Sequence, residues 1–449
     1  MIDIEKILRG DGETIAIQYN SKQITYSELK QEVIAVIQKL EDIGLCPGTR
    51  VCLKATEPLD YFVLLLSCFV NGIVVCPLSD SYSEEYVQMI LDIFQPNALL
   101  DDDGEFELFE PNKKPTPKAL RGMGLVTFTS GTTGVPKGVC HSVYSLIKCA
   151  ETFNEHSNLN SNTKMMHVMP RFYMAGILNT FLSPLVAGGT VLVKPTFSAQ
   201  NAPVLFKQYC ESQANAIWLS PSMLLLSSKL ARDKDAIAWP SASHSKIFVG
   251  TAPLPSSSKD IFQNKFSCEV LESYGTSELL FISCAKYSEG KSEGVGRVLS
   301  GVEVQFAHDN EILVTSPWAM LGYLNAEGDG TDTGDLGKLA DEKLIIAGRK
   351  KDLIIKGGQN ISPRYIEEAA LKDNGVEEAA VVAESHPFWG EVPILYIVPN
   401  NSYNKQNLMQ LLNQILPDEQ HPEKILTVNS FPKTVTGKIV KNSIVREYK

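Results

Sequence analysis

The stretch TFTSGTTGVPKGV, Thr127 to Val139, gathers five Ser or Thr hydroxyls, three glycines and one lysine into thirteen residues. Glycines let a backbone turn tightly and aim successive N–H groups at one anion. Hydroxyl donors and a lysine charge complete such a cradle. A polar surface linker has a similar composition, but the flanks argue for phosphate. GLVTF, Gly124 to Phe128, reads as a strand, and VCHSVYSLIKCAETF, from Val139, reads as a helix. A Gly-rich turn between strand and helix is a common phosphate site. It is not a Walker loop, because Gly138 follows Lys137 and the G-x-x-x-x-G-K-[ST] spacing is missing.

Five more motifs follow in chain order: GTAPLP from Gly250, YGTSE from Tyr274, TGDLG from Thr333, GRKKDLIIKGGQNISP from Gly348 and PKTVTGKI from Pro432. Taken singly each has a plain reading. Tyr274 is a core aromatic at a strand end, Glu278 a solvated acid, Asp335 a turn residue and Lys438 a solvated charge. Together, from about residue 16 onward, they resemble the adenylate-forming superfamily: acyl- and aryl-CoA synthetases, nonribosomal peptide adenylation domains and luciferases.

That resemblance implies an ATP-dependent activation of a carboxylate to an acyl-AMP, with pyrophosphate released, followed by attack of a thiol. It assigns Thr129, Ser130, Gly131, Thr132, Thr133, Gly134 and Lys137 to the β- and γ-phosphates. Gly250, Thr251, Ala252 and Pro253 line one face of the adenine, and Tyr274 stacks on the other, beside Gly275 and Thr276. Ser277, where the family usually has Thr, bonds the α-phosphate, and Glu278 binds Mg²⁺. Asp335 takes both ribose hydroxyls, which calls for a carboxylate with two free oxygens, and Arg349 reaches the same ribose. Lys438 bridges the attacking carboxylate and the α-phosphate, where preorganised charge acts most strongly on the transition state. Lys351 matches a hinge, and Lys356, Gly357 and Gly358 match the segment that faces the thioester site.

Departures from the pattern bear on the substrate. CoA ligases often carry Pro-Leu-Phe-His before a Gly. Here MPRFYMAG runs from Met169 to Gly176, with Arg171 and Tyr173. Amino-acid-activating relatives place an Asp at the Tyr173 position, so Tyr173 argues against an α-amino acid. LLFIS, from Leu279 to Ser283, is apolar where the pocket wall is expected, which suits an aryl or alkyl acid. Arg171 either binds a second carboxylate or meets solvent or a local acid. The thiol is that of CoA or, as an alternative, of a carrier protein supplied in trans. A non-catalytic nucleotide- or acyl-binding relative is the alternative from another class, and intact Glu278, Asp335, Arg349 and Lys438 argue against it. A luciferase-like oxygenase would keep the same motifs.

The elements that must position these residues alternate. TIAIQYN, RVCLKA and IVVCPL read as strands. Between them lies a helix opening at Thr25 with Glu28 three residues on, and another over residues 61–70. Alternation of this kind predicts an α/β fold with mixed or mostly parallel, helix-covered sheets. From about residue 294, GVEVQF, EILVTS and KLIIAG predict a β-rich, antiparallel or barrel-like subdomain. A hinge near Arg349 to Lys351 then divides a core, residues 1–348, from a small α+β C-terminal domain, residues 349–449. The chain has 449 residues, a net charge of −11 and no basic block, which excludes a nucleic-acid partner. Its nine cysteines include no C-x-x-C pair and suit reduced thiols in the cytoplasm. The apolar run Tyr61 to Leu78 is broken by Asn71-Gly72, so it reads as a buried helix and strand and no membrane anchor.

Overall fold

Thr25 starts the first long helix with a full capping box. Its hydroxyl receives the Glu28 N–H and the Glu28 carboxylate receives the Thr25 N–H, ahead of helix Tyr26–Asp42. The apolar run after Pro58 forms helix Pro58–Asn71, which stops at Gly72 with φ +77° and gives way to strand Val74–Pro77. The left-handed glycine is what lets one apolar run make two elements. The computed structural model describes residues 2–54, 57–100, 106–109, 120–129, 135–287, 294–328, 330–434, 439–441 and 443–444.

The described strands form three sheets. The largest has thirteen strands. Six of these, Ile15–Tyr19, Lys164–His167, Thr190–Val193, Ala216–Leu219, Lys246–Val249 and Val270–Thr276, run parallel to one another. A seven-stranded sheet carries Arg50–Leu53, Val74–Pro77 and Ala98–Leu100 in parallel and ends in the antiparallel set Leu125–Thr129, Lys137–His141 and Gly322–Tyr323. The predicted alternation is therefore real but shared between two sheets. Ile15–Tyr19 pairs with Thr190–Val193, far along the chain, and not with its near neighbours in sequence apart from Lys22–Thr25.

One local expectation is refined and one needs correction. Strands Glu303–Phe306, Glu311–Thr315 and Lys343–Arg349 are antiparallel, as one of the two expected alternatives had it. They continue the thirteen-stranded sheet through the pair Val270–Thr276 and Leu280–Cys284. The Gly-rich loop is flanked by strand and strand, not by strand and helix. Lys137–His141 pairs antiparallel with Leu125–Thr129, and helix Val143–Ser157 starts only after the Ser142 cap. No helix N-terminus therefore follows the loop directly.

The third sheet lies C-terminal. Strands Ile354–Lys356, Gln359–Ile361, Val376–His386, Gly390–Pro399 and Lys424–Thr427 form it. Its own apolar cluster includes Ile354, Ile361, Ile366, Val381, Leu395 and Leu408. The last strand of the large sheet ends at Arg349, and a short 3₁₀ turn, Lys350–Asp352, leads into this unit. Contacts back to the larger body include the Ser362 hydroxyl donating to the Ala347 carbonyl (2.9 Å) and a Lys229–Glu377 ion pair (3.4 Å). No helix among the described residues is long and apolar enough to cross a membrane.

Candidate active site

The strands of the large sheet set up the first half of the site. Thr333 to Asp335 opens the long strand Asp332–Ala340, in register with Lys343–Arg349, so that Asp335 and Arg349 are cross-strand partners. The Asp335 carboxylate is almost fully buried. Its Oδ1 receives Arg349 Nε at 2.9 Å and its Oδ2 receives the Tyr274 hydroxyl at 2.8 Å. The Thr333 hydroxyl accepts the Asp335 N–H at 3.1 Å and donates to the Ile312 carbonyl at 2.7 Å, which locks the turn. Both carboxylate oxygens already accept a bond, contrary to the expectation of two free ones. Each keeps one lone pair for a ligand hydroxyl. Burial and the neighbouring Asp335 charge push the Tyr274 phenol well above its usual range, so it stays a donor.

The turn after Tyr274 is built by close approach. A side chain at Gly275 would place its first carbon 2.0 Å from the Leu280 carbonyl oxygen. Only glycine fits there. The Thr276 hydroxyl accepts the Leu279 N–H at 3.1 Å. Ser277 is tied at its carbonyl, which receives His141 Nε2 at 2.7 Å. A carbonyl only accepts, so Nε2 carries the proton. Burial holds His141 neutral, with its pKa down to about 4. At the end of the parallel strand Lys246–Val249 the chain continues through Gly250, Thr251, Ala252 and Pro253, with Thr251 at φ +72°. A threonine in the left-handed region is an uncommon conformation that clusters at ligand sites. Ligands of open α/β sheets bind at such carboxyl ends.

The second half of the site is stapled to the exit strand of the Gly-rich loop. Leu324 N–H donates to Gly138 O (2.7 Å), and Leu321 N–H to Cys140 O (2.8 Å). Asn325 clamps the loop's end, accepting from Gly138 N–H at 3.0 Å and donating to Pro136 O at 2.9 Å. Between these bonds Tyr323 donates its hydroxyl to Glu278 Oε1 at 2.9 Å, and Lys137 Nζ lies 5.1 Å from the centre of the Tyr323 ring. Glu278 is also held by its carbonyl, which receives Met320 N–H at 2.7 Å. Among the described residues Glu278 Oε2 takes no hydrogen bond. Thr129 ends the entry strand. Ser130, Gly131, Thr132, Thr133 and Gly134, and also Lys438, lie outside the described residues.

The third set lies on the loop beyond Lys164–His167. Arg171 sits with its guanidinium 5.6 Å from the Tyr61 ring centre, and the Tyr61 hydroxyl donates to its carbonyl at 2.9 Å. Tyr173 is linked electrostatically to Arg349: burial pushes its phenol pKa up, and the Arg349 charge draws it partly back down. Gly176 is the second residue of a buried π-helix, Ala175–Leu182. A side chain there would meet the Pro170 carbonyl oxygen at 2.1 Å. π-turns are frequent at functional sites. Leu279 is buried with Ile282, Ile312, Val314 and Leu344, the cluster on which Tyr274 packs.

The C-terminal candidates stand apart from these. Lys351 is exposed on the 3₁₀ turn. Lys356 ends strand Ile354–Lys356, and Gly357-Gly358 make the two-residue turn to Gln359–Ile361, with φ +59° and +85°. Sequence reasoning missed Tyr323, Asn325, Thr333 and His141. Thr333 lies inside a motif already singled out, and His141 in the stretch that flanks the Gly-rich loop. Tyr323 and Asn325, in MLGYLN just before TGDLG, carried only the weak signal of an aromatic after a glycine.

Comparison with known proteins agrees with this layout. The AMP-binding enzyme family matches residues 4–324, and the AMP-binding enzyme C-terminal domain matches residues 365–438. A 2-succinylbenzoate–CoA ligase of Staphylococcus epidermidis is 27% identical over 99% of this chain and 97% of its own. The ATP-bound crystal structure of MatB from Rhodopseudomonas palustris superposes with a TM-score of 0.86 at 23% identity, covering 100% of this chain and 99% of that one. The o-succinylbenzoate CoA synthetase MenE of Bacillus subtilis, in complex with the acyl-adenylate intermediate OSB-AMP, gives 0.82 at 22% identity, over 98% and 97%. At such identities the two structural likenesses are likenesses of fold.

Proposed function

The chain belongs to the AMP-binding enzyme family, and from that premise we propose that it activates a carboxylic acid with ATP and passes the acyl group to CoA. The observation that carries the proposal is a pair of polar clusters at the ends of the sheet strands, joined by the backbone segment Tyr274 to Glu278. Asp335, Arg349 and Tyr274 form one end, and four residues after Tyr274 stands Glu278, joined through Tyr323 to Lys137 of the Gly-rich loop. In this reading Asp335 and Arg349 hold the ribose. Tyr274 and residues Gly250 to Pro253 flank the adenine, and Lys137 and the loop hold the terminal phosphates.

An oxygen of the acid attacks the α-phosphorus, the bond to the β-phosphate oxygen breaks, and pyrophosphate leaves. The CoA sulfur then attacks the acyl carbon, AMP departs with the electron pair, and the thiol proton goes to solvent. Lys438 steadies the first of these steps. A single carboxylate with an unengaged oxygen suits Mg²⁺, which binds through one or two carboxylates plus substrate phosphates. Glu278 fits that description, and the ion bound there would neutralise phosphate charge. Both clusters lie within residues 1–349, and the C-terminal unit has its own core. That supports a division near residues 348–349, with Arg349 itself kept on the core side by its strand and its bond to Asp335 and a mobile domain after it, turning at Lys351 to exchange Lys438 for the Lys356, Gly357 and Gly358 face.

The acid is an aryl or alkyl acid and not an α-amino acid, because Tyr173 offers no carboxylate for an ammonium group. 2-Succinylbenzoate, on which the Staphylococcus epidermidis relative acts by its name, is the first acid to test. The decisive experiment is a pyrophosphate-release screen over aryl, alkyl and dicarboxylic acids, with and without CoA. The expected products are AMP and pyrophosphate, with thioester only when CoA is present. ADP and phosphate, or strong activity on an α-amino acid, would overturn the reading. Within that screen, Arg171→Ala should abolish any preference for dicarboxylic acids if Arg171 binds a second carboxylate. An unchanged profile would leave it as the partner of the Tyr61 ring.

A further inference from the structure

We infer that Tyr323 is a positioning residue that keeps the Lys137 ammonium and the Glu278 carboxylate apart, each poised for the nucleotide. The inference rests on the proposed reading of Lys137 and Glu278 as phosphate- and metal-binding groups. It arises from one juxtaposition: a single phenol meets both. The hydroxyl donates to Glu278 Oε1 at 2.9 Å, and the ring face takes Lys137 Nζ at 5.1 Å from its centre. An ammonium and a carboxylate serving one polyphosphate are otherwise each other's best partner when the nucleotide is absent. Directly paired, they would cancel the charge that draws phosphate and the charge that draws a cation. Among the described residues Lys137 and Glu278 form no such pair.

The surroundings keep the spacer in place. Tyr323 lies in the short strand Gly322–Tyr323, in register with Cys140 and Val139 of the loop's exit strand. The Leu321 and Leu324 N–H groups bond that strand on either side, and Asn325 clamps Pro136 and Gly138. Met320, three residues before Tyr323, donates its N–H to the Glu278 carbonyl. Gly330 also presses on Glu278, since a side chain there would come within 2.7 Å of its Cβ. Residues Met320 to Asn325 thus fix the loop base and the acid to one segment. The hydroxyl occupies one carboxylate oxygen and leaves Oε2 for a cation. That is how outer-shell hydrogen bonds orient metal ligands, and their loss typically costs about 10–100-fold in metal affinity. The ring gives Lys137 a cation–π platform that neutralises nothing.

The test is equilibrium ATP binding by calorimetry on the full chain, in excess Mg²⁺ and again in EDTA. Tyr323→Phe should weaken binding of ATP with Mg²⁺ about tenfold and leave metal-free ATP within about twofold, because only the bond to Glu278 is lost. Tyr323→Leu should weaken both, since Lys137 can then fall onto Glu278. Adding Glu278→Gln to Tyr323→Leu should restore metal-free binding by removing that trap. Equal weakening of both forms in Tyr323→Phe would mark a merely structural residue and overturn the inference. So would no change in either form. Glu278→Gln alone separates the two levels of failure. If it leaves the Mg²⁺ effect intact, the metal-binding reading of Glu278 falls and takes this inference with it. If it removes the Mg²⁺ effect while Tyr323→Phe does not, only the role of Tyr323 falls.

Discussion

The larger body and the C-terminal unit hold their candidate residues in opposite ways. In the larger body Asp335, Tyr274 and Glu278 each have a hydrogen-bond partner, and Asp335 is among the most buried acids described. In the C-terminal unit Lys351, Gly357 and Gly358 are exposed. The difference suits a division of labour. Groups that must meet a nucleotide in one geometry gain from being fixed before it arrives, because fixed dipoles need no reorganisation in the transition state. In the proposed exchange, groups that serve one step and then withdraw gain from few ties to the larger body. What ties them down is their own small core.

The strongest test of that contrast is Lys438→Ala. Removing one transition-state contact typically costs about 10²–10³ in rate. The loss should fall on acyl-AMP formation and spare thioester formation from supplied acyl-AMP. Lys351→Pro should do the reverse, because proline fixes φ at about −65° at a position that takes two conformations in the proposed domain exchange. Single-turnover assays of each half-reaction read both. Equal slowing of both steps in both variants would break the contrast. Next in size is Asp335→Asn, which keeps the shape and an acceptor for Tyr274 but loses the charge that holds Arg349. A hydrogen bond to a charged group contributes about 1.5–3 kcal/mol, so the ATP KM should rise roughly ten- to a hundredfold. Tyr274→Phe, losing a bond of about 1 kcal/mol, should raise it only about fivefold. A reversed order would mean that Asp335 positions nothing.

How far this division could be read from sequence differs by element. The capping box at Thr25 and Glu28 and the break at Gly72 are local, and local chemistry was enough to find them. The Gly-rich loop was found, but its exit was mistaken for a helix. Lys137–His141 is a strand only because Leu125–Thr129 and Gly322–Tyr323 lie on its two sides. Tyr323 escaped for the same reason: its partner Glu278 is 45 residues away in the chain. Asp335 and Arg349 were assigned by resemblance, yet only strand register reveals that they face each other. The shared use of Tyr274 by Asp335 has no trace in the sequence at all.

A third prediction concerns acid. His141 and His167 are both buried and neutral, with pKa values down to about 4 and about 3 through loss of solvation, and both belong to the larger body. In the unfolded chain they titrate near about 6.5. The unfolded chain therefore binds more protons as pH falls, and acid favours it. Their contribution is fully present above about pH 6.5 and is lost on the way down to the depressed values. Each histidine weakens folding by up to about 1.4 kcal/mol per pH unit in that window. Urea unfolding at pH 7.5, 6 and 5 should show the loss. His141→Gln should flatten the slope, whatever it does to the level at pH 7.5. An unchanged slope would mean that His141 is already charged in the fold, and the bond to Ser277 would still stand but its neutral tautomer would not.

The smallest expected effect probes the C-terminal side alone. Gly357 and Gly358 both have positive φ and link strands in register at Lys356 and Gln359, the geometry of a tight two-residue hairpin turn. At Gly358 a side chain would meet no atom within 4 Å, so Gly358→Ala adds only backbone strain. An L-residue held in the left-handed region costs roughly 1–2 kcal/mol. Gly357→Ala adds a collision, because the new carbon would lie 2.8 Å from the Trp389 ring. Trp389 must shift or the turn must open, so this variant should lose more stability than Gly358→Ala. Neither residue touches the clusters at Asp335 and Glu278, so acyl-AMP formation should be unchanged in both. Thioester formation should fall in both, more in Gly357→Ala, if this turn faces the thioester step. If both half-reactions instead run at wild-type rates while stability drops, the glycines serve the hairpin only. The C-terminal face of the second step would then have to be sought elsewhere on that unit.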